Sequence, residues 1–291
     1  MTPPPFDDRD GLIWLDGALV PWRDARVHVL THALHYASAV FEGERVYQGQ
    51  VFKLTEHSER LVRSGRILGF QLPWSVAEID AATRATVAAN GIGDGYVRPI
   101  AWRGAEQMGV APTGTKIHLA IATWVWPSYF PPELRSKGLR LTISPWKRPQ
   151  PDTAPTQAKA AGLYMIGTLS KQAAEDAGYS DSILLDWRGN LAEASGANMF
   201  LVMEGVLHTP LPDCFLDGIT RRTVMALARA RGLEVVERHI RPEELAKAQE
   251  VFLTGTAAEI TPVAEIDAYH FTPGAVTAAL IADYDALVGR V

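Results

Sequence analysis

The sequence predicts a two-domain protein of mixed α and β structure, α/β in class and of the α+β type in its first half. Three observations carry that expectation. At 291 residues the chain is too long for one typical compact domain and suits two. Short strand-like runs and amphipathic helix-like runs fall into two blocks. Between the blocks, residues 129–138 hold paired prolines and a glycine, which stop both helix and strand. The expected organisation is a small N-terminal domain over 1–128, a linker over 129–138 and a larger C-terminal domain over 139–291.

In the first block, residues 12–22 alternate around Asp16-Gly17 and predict a hairpin. Residues 40–47 and 50–54 predict a second strand pair. Thr55 suits an N-cap and, with Ser58-Glu59 in the first turn, opens a helix through Ile67. The spacing of Val76, Ile79, Ala82 and Val87 predicts a helix over 75–89, stopped by Asn90-Gly91. Strands are expected at 96–102 and 117–126.

The second block opens with a strand at 139–144. Residues 145–155 carry four prolines and predict an extended loop. A helix is expected over 162–177, strands at 182–187, 198–203, 205–209, 233–239 and 250–254, and helices at 219–231 and 275–288.

Composition narrows the function. The formal net charge of −5 leaves no basic footprint for nucleic acid. No run of eighteen uncharged apolar residues suggests a membrane span. The first ten residues lack the basic start and apolar run of a secretory signal. A single cysteine, Cys214, excludes an intramolecular disulfide and fits a reducing cytoplasm. Its setting, Pro212-Asp-Cys-Phe-Leu216, favours a packed small residue over a nucleophile.

Lys159 is the most informative residue. It sits in Thr156-Gln-Ala-Lys-Ala-Ala-Gly-Leu-Tyr164, between the proline-broken stretch and the expected helix. A lysine amine that is neutral part of the time is a nucleophile toward carbonyl carbon. Farther along stand Glu193-Ala-Ser-Gly-Ala-Asn-Met-Phe200, Leu207-His-Thr209 and Leu216-Asp-Gly-Ile-Thr-Arg221. The unpaired amides at the helix start after Gly218 make a ready anion site. Those residues would equally serve as a plain glycine turn with a threonine cap.

Together these segments resemble the signature of the class IV pyridoxal-phosphate aminotransferases, the group holding branched-chain and D-amino-acid aminotransferases. The resemblance implies a two-domain fold-type IV enzyme with pyridoxal 5′-phosphate at the domain interface. It implies Lys159 as the catalytic residue and covalent anchor, and Glu193 as the partner of the ring nitrogen. Tyr164 would hydrogen-bond the ring oxygen. Arg60, in Glu56-His-Ser-Glu-Arg-Leu61, would bind the phosphate with Ile219, Thr220 and Thr256; arginine forms bidentate, charge-assisted bonds to phosphate.

The pocket decides which member of the group this is, because the cofactor site is shared. His32–Gly43 is similar to the branched-chain branch, with Tyr36, Phe41 and Gly43 as pocket residues. Tyr96-Val-Arg98-Pro99, Met108-Gly-Val110, Trp126 and Tyr129 match it too. Tyr96 and the amides of Thr256 and Ala257 would face the substrate α-carboxylate, and Arg98 would receive the side-chain carboxylate of glutamate. The implied reaction moves the amino group of L-leucine, L-isoleucine or L-valine to 2-oxoglutarate by a ping-pong mechanism. The alternatives are a D-amino-acid or (R)-amine transaminase, or an aminodeoxychorismate lyase; the Tyr-Val-Arg and Met-Gly-Val segments argue against them. In the family the loop at Met108–Val110 and the segment around Tyr36 reach a neighbouring subunit's pocket, which implies a homodimer or higher homo-oligomer. Three departures stand out: Ala37 where glycine is usual, Glu44 where an apolar residue is usual, and Leu163-Tyr164 in place of Asn-Tyr. One methylene in a pocket shifts selectivity by only about 1–3 kcal/mol, so the preferred donor stays open.

Overall fold

The computed structural model describes residues 4–126 and 133–290. The chain forms two compact units, one of Met1–Pro127 with Ala158–Gly162, the other of Ser128–Gln157 with Leu163–Val291.

The first unit contains β1 (Leu12–Leu15), β2 (Ala18–Pro21), α1 (His32–Tyr36), β3 (Ala39–Phe41), β4 (Glu44–Tyr47), β5 (Gln50–Val51), α2 (Leu54–Ile67), α3 (Val76–Ala89), β6 (Gly95–Arg103) and β7 (Ile117–Trp124). Its antiparallel sheet runs β2-β1-β7-β6-β4-β5, with β3 also on β6. The expected hairpin is β1–β2, turning at Asp16-Gly17 with both residues at positive φ. Strand alternation divides the sheet's faces. Val40, Val97, Ala101, Leu119 and Ile121 pack with Leu61 of α2 and with Ile79, Ala82 and Val87 of α3. Phe41, Tyr96, Arg98, Ile100 and Trp102 therefore lie on the other face.

The two helices start differently. Ser75 caps α3 in a full capping box with Glu78, and Asn90 and Gly91 end it as expected. Thr55 does not cap α2: the cap position is Lys53, in the left-handed region, and Thr55 Oγ1 instead bonds Asp80 Oδ2 on α3 at 2.6 Å. A tertiary partner outcompeted the local one.

The second unit contains α4 (Leu134–Lys137), β8 (Leu139–Lys147), α5 (Tyr164–Asp176), β9 (Asp181–Leu185), β10 (Leu191–Ala194), β11 (Asn198–Met203), β12 (Val206–Pro210), α6 (Ile219–Ala230), β13 (Val235–Arg238), β14 (Glu250–Gly255), β15 (Glu259–Ile266), β16 (Tyr269–His270) and α7 (Ala275–Leu287). The strands run β10-β9-β8-β15-β14-β11-β12-β13, and β10 also pairs with β11, which closes six of them into a ring. Its core gathers Leu139, Leu141, Ile183, Met199, Leu201, Leu253 and Val263. Strand β8 continues three residues past the predicted end, through Pro145, with an irregular register between Ile143 and Lys147. Proline is tolerated at such an irregularity because no ladder hydrogen bond depends on its nitrogen. Strands β10 and β15 have no counterpart in the sequence reading; β10 is short and β15 is interrupted by Pro262.

Candidate active site

In the first unit, the site is built around Lys159. The residues next to it join the sheet: Val40 and Ala160 form an antiparallel bridge, Phe41 N donates to Lys159 O at 3.1 Å, and Lys159 N donates to Ser64 Oγ of α2 at 3.0 Å. The backbone of the lysine is thus fixed from two sides. Its half-buried side chain puts Nζ 4.9 Å from the centre of the Phe41 ring.

Phe41 also meets Arg98, whose guanidinium lies 4.9 Å from that ring and 5.3 Å from the Tyr96 ring. Arg98 Nη2 donates to the Tyr96 hydroxyl at 3.3 Å. Trp126 packs edge-on to Tyr96 at 4.8 Å. Gly43 is required by this arrangement, because a Cβ there would collide with the Tyr96 hydroxyl. The result is an aromatic wall carrying the Arg98 guanidinium, suited to an aliphatic chain or a carboxylate.

Tyr36 ends α1 and is exposed; its hydroxyl donates to Met108 O at 3.2 Å. His32 Nε2 lies 3.0 Å from Gly109 O, so α1 holds the backbone of the Met108–Val110 loop while the Val110 side chain stays 77% exposed. Ala37, the residue found where glycine is usual, has φ of 54° and ends α1 in the left-handed region. That is the conformation for which glycine is favoured.

Arg60 lies on α2 and is buried. Its Nε and Nη2 donate to both oxygens of Glu42 at 2.6 and 2.8 Å, and His57 Nδ1 lies 2.7 Å from Glu42 Oε2. Burial alone would raise the Glu42 carboxyl, but the Arg60 guanidinium and His57 hold it well below the usual carboxylate range. Burial also pushes the His57 imidazole down, against the pull of Glu42. The sequence reading passed over Glu42 and His57; the signal was a charged residue set between Phe41 and Gly43 in an apolar strand run.

In the second unit, Glu193, Asn198 and Thr254 stand opposite one another on β10, β11 and β14, so their side chains share a face. Glu193 Oε1 lies 3.3 Å from Arg148 Nε and its Oε2 accepts from Asn198 Nδ2 at 3.4 Å. Asn198 Nδ2 also donates to Leu216 O at 3.0 Å, just before α6. Gly218 precedes α6 and provides no side-chain cap; a Cβ there would collide with Asn198 Oδ1. Ile219 and Thr220 form the first turn of α6 and are buried. Thr256 and Ala257 occupy the turn joining β14 to β15, directly after Thr254 and Gly255.

Tyr164 opens α5. One turn later, a Cβ on Gly167 would meet Ser195 O at 2.6 Å, and Arg148 Nη1 reaches Leu163 O at 3.5 Å. Tyr164, Glu193, Ile219, Thr220, Thr256 and Ala257 are therefore gathered at one end of this unit's strands. Arg148, hidden in the proline-rich stretch, was not singled out by the sequence. Tyr129 lies outside the described residues. Cys214 is buried, and its thiol is pushed up to about 12 by burial and by Asp213, Asp186 and Glu193, as expected of a packed residue.

The family described as Amino-transferase class IV matches residues 39–266. The branched-chain-amino-acid aminotransferase of Pseudomonas aeruginosa is 44% identical over 264 residues, which cover 89% of this chain and 86% of that protein. Among solved structures, the T.th. branched-chain amino acid aminotransferase with pyridoxamine 5′-phosphate is 39% identical, with a TM-score of 0.93 over 97% of this chain and 96% of that one. The same T.th. enzyme complexed with N-(5′-phosphopyridoxyl)-L-glutamate is 38% identical, with a TM-score of 0.91 over the same shares.

Proposed function

The chain belongs to the class IV aminotransferases, and we propose that it moves the amino group of leucine, isoleucine and valine to 2-oxoglutarate in a ping-pong cycle with pyridoxal 5′-phosphate. The observation that carries this reading is the wall of Phe41, Tyr96 and Trp126 with Arg98 in it, beside the amine of Lys159. An aliphatic chain packs on the rings, and the Arg98 guanidinium lets the same pocket take the second carboxylate of glutamate. Ping-pong transfer requires that dual use, since both substrates pass through one site. The printed names of the relatives support the substrate class, and the T.th. complexes support both cofactor and glutamate for that enzyme.

The residues fit a phosphorylated pyridine. The start of α6 has no capping side chain and its glycine has no room for a Cβ. The Thr254 hydroxyl is buried without a hydrogen-bond partner among the described residues. Glu193, next to Arg148, is a carboxylate suited to a protonated ring nitrogen. When bound, the cofactor supplies an electron sink for the charge that develops at the substrate Cα.

The chain's own residues then divide the work. Lys159 anchors the cofactor, and its released amine takes the proton from Cα. Glu193 holds a proton on the ring nitrogen, and Tyr164 hydrogen-bonds the ring oxygen. Arg60, Thr256 and the amides of Ile219 and Thr220 bind the phosphate. Tyr96 and the amides of Thr256 and Ala257 orient the α-carboxylate, and Arg98 receives the side-chain carboxylate. Tyr36, Phe41, Gly43, Met108, Val110, Trp126 and Tyr129 shape the apolar part.

The protein works as a cytoplasmic homodimer. The exposed Val27, Val29, Leu30, Leu34 and Val110 support a subunit boundary on the first unit. The single cysteine supports a reducing compartment. No helix among the described residues is long and apolar enough to cross a membrane.

Two measurements test the reading. A screen with 2-oxoglutarate should show turnover of L-leucine, L-isoleucine and L-valine and little of D-alanine or (R)-1-phenylethylamine; the reverse order would overturn the substrate class. Lys159→Ala should still bind the cofactor, lose the borohydride-reducible visible band and drop turnover by at least about 10²–10⁴-fold. Substantial remaining activity would remove Lys159 from its role.

A further inference from the structure

Glu42 is a carboxylate with no exposed surface, sited where three chain segments meet. Its own backbone nitrogen donates to Pro99 O at 2.8 Å on β6. The residue before it, Phe41, donates its nitrogen to Lys159 O, and the residue after it, Gly43, donates its nitrogen to Glu42 Oε2 at 3.3 Å. Through its side chain Glu42 grips α2: two parallel bonds from Arg60 and one contact with His57 Nδ1, all between 2.6 and 2.8 Å. Arg60 and His57 stand three residues apart on α2, so both reach the same carboxylate from one helix face.

A carboxylate taken wholly out of water is stable only with its oxygens fully matched by donors. This one is matched by a fork-to-fork guanidinium pair, the geometry that fixes both planes at once. Arginine has a long, rotamer-rich side chain, and ordering it is ordinarily part of the cost of binding an anion. Here that ordering is built into the fold.

We propose that Glu42, with His57 closing the clamp, is the positioning residue that holds Arg60 in place for the cofactor's phosphate. The inference rests on the assignment of Arg60 to the phosphate made above. Glu42 does not touch the cofactor. It acts through Arg60, and because Phe41 is bonded to Lys159 it ties the phosphate anchor to the segment bearing the reactive amine.

The test compares pyridoxal 5′-phosphate with pyridoxal, which lacks the phosphate. Full-length protein stripped of cofactor is titrated with each, and the ratio of the two affinities is the phosphate preference. Glu42→Gln keeps the volume and removes the charge, leaving an amide that cannot accept both Arg60 bonds and the His57 bond together. It should lower the phosphate preference by about tenfold or more, with little change in pyridoxal affinity. Glu42→Asp keeps the charge on a shorter stem and should recover part of the preference. In an Arg60→Ala background, Glu42→Gln should cause no further loss.

The outcomes separate the two ideas. If Arg60→Ala leaves the phosphate preference intact, the assignment of Arg60 itself fails. If Arg60→Ala abolishes the preference while Glu42→Gln or Glu42→Asp leaves it at the wild-type value, the positioning role is overturned. Equal losses for pyridoxal and its phosphate would also overturn it, since they would show that Glu42 only supports the fold. Should both Glu42 variants fail to fold, the wild-type protein without cofactor still decides: the Arg60 Nε–H should give a solvent-protected nuclear magnetic resonance signal, and a rapidly exchanging one overturns the proposal.

Discussion

Arg98 and Glu44 show how much a single side chain's surroundings decide. Arg98 is half-buried on an aromatic wall, with one bond to the Tyr96 hydroxyl. Removing it leaves the second carboxylate of glutamate without a charged partner, worth about 1.5–3 kcal/mol. Arg98→Ala should therefore lower kcat/KM for glutamate by more than about tenfold and that for leucine by clearly less. Equal losses would mean that Arg98 supports the fold or the shared α-carboxylate. Glu44 is on β4, opposite Val97 and so on the helix-covered face. It is fully buried, and neither oxygen finds a hydrogen-bond partner among the described residues. Burial pushes its carboxyl well above the usual range, and Glu42 and Asp80 add to this against Arg60. The folded state then binds a proton that the unfolded chain releases, so stability falls as pH rises above the ordinary carboxylate range. Glu44→Gln should raise Tm, and raise it more at pH 8 than at pH 5, as calorimetry would read. A gain that does not grow with pH would count against a protonated Glu44.

At the scale of elements, the start of α6 is the most constrained piece of the site. Asn198 bonds the backbone before it and the carboxylate of Glu193, and its side-chain oxygen fills the space a Cβ on Gly218 would need. Gly218→Ala must push Asn198 away, at a cost of about 1–3 kcal/mol. The expected result is a lower Tm and a weaker cofactor affinity in a titration, while Gly93→Ala, where a Cβ meets nothing within 4 Å, should change neither. Unaltered cofactor binding in Gly218→Ala would detach this helix start from the phosphate. Local signals here agreed with the outcome: the glycine before the run at 219–231 marked the start of α6, and the spacing of Val76, Ile79, Ala82 and Val87 with the Asn90-Gly91 stop marked α3. They failed where a distant partner competed. Thr55 gave its hydroxyl to Asp80, and β8 ran through Pro145 because β9 pairs with it on both sides of the irregularity, at Ile143 and again at Lys147.

For the whole molecule, the prediction concerns assembly. Tyr36 and His32 hold the backbone of the Met108–Val110 loop within one chain, yet Val110 points its side chain into solvent. The homodimer proposed above is one way to cover such an exposed valine. If the loop completes a neighbour's pocket, Lys159→Ala and a Met108→Asp/Val110→Asp variant should each be inactive alone. Refolded together they should recover about a quarter of wild-type activity, because random pairing makes half the dimers mixed and half the sites in those complete. No recovery in mixtures shown to contain heterodimers would mean that each chain builds its pocket alone.

The sequence by itself determined the mixed α and β class, most helices and long strands, and the family, because periodicity, turn chemistry and spaced motif residues are local properties of the chain. It also marked Lys159, Glu193 and the glycine before α6. Only the tertiary structure decided which groups answer one another across long stretches of chain: Glu42 with Arg60 and His57, Glu193 with Arg148, and the Lys159 backbone with the edge of the first sheet. Strands β10 and β15 likewise became visible only in place, since a short or proline-bearing run is a strand when its neighbours supply the hydrogen bonds. The physical reason is the same in each case. A buried charge or an extended backbone is stabilised by its partner, and the partner's distance in sequence carries no trace of its distance in space.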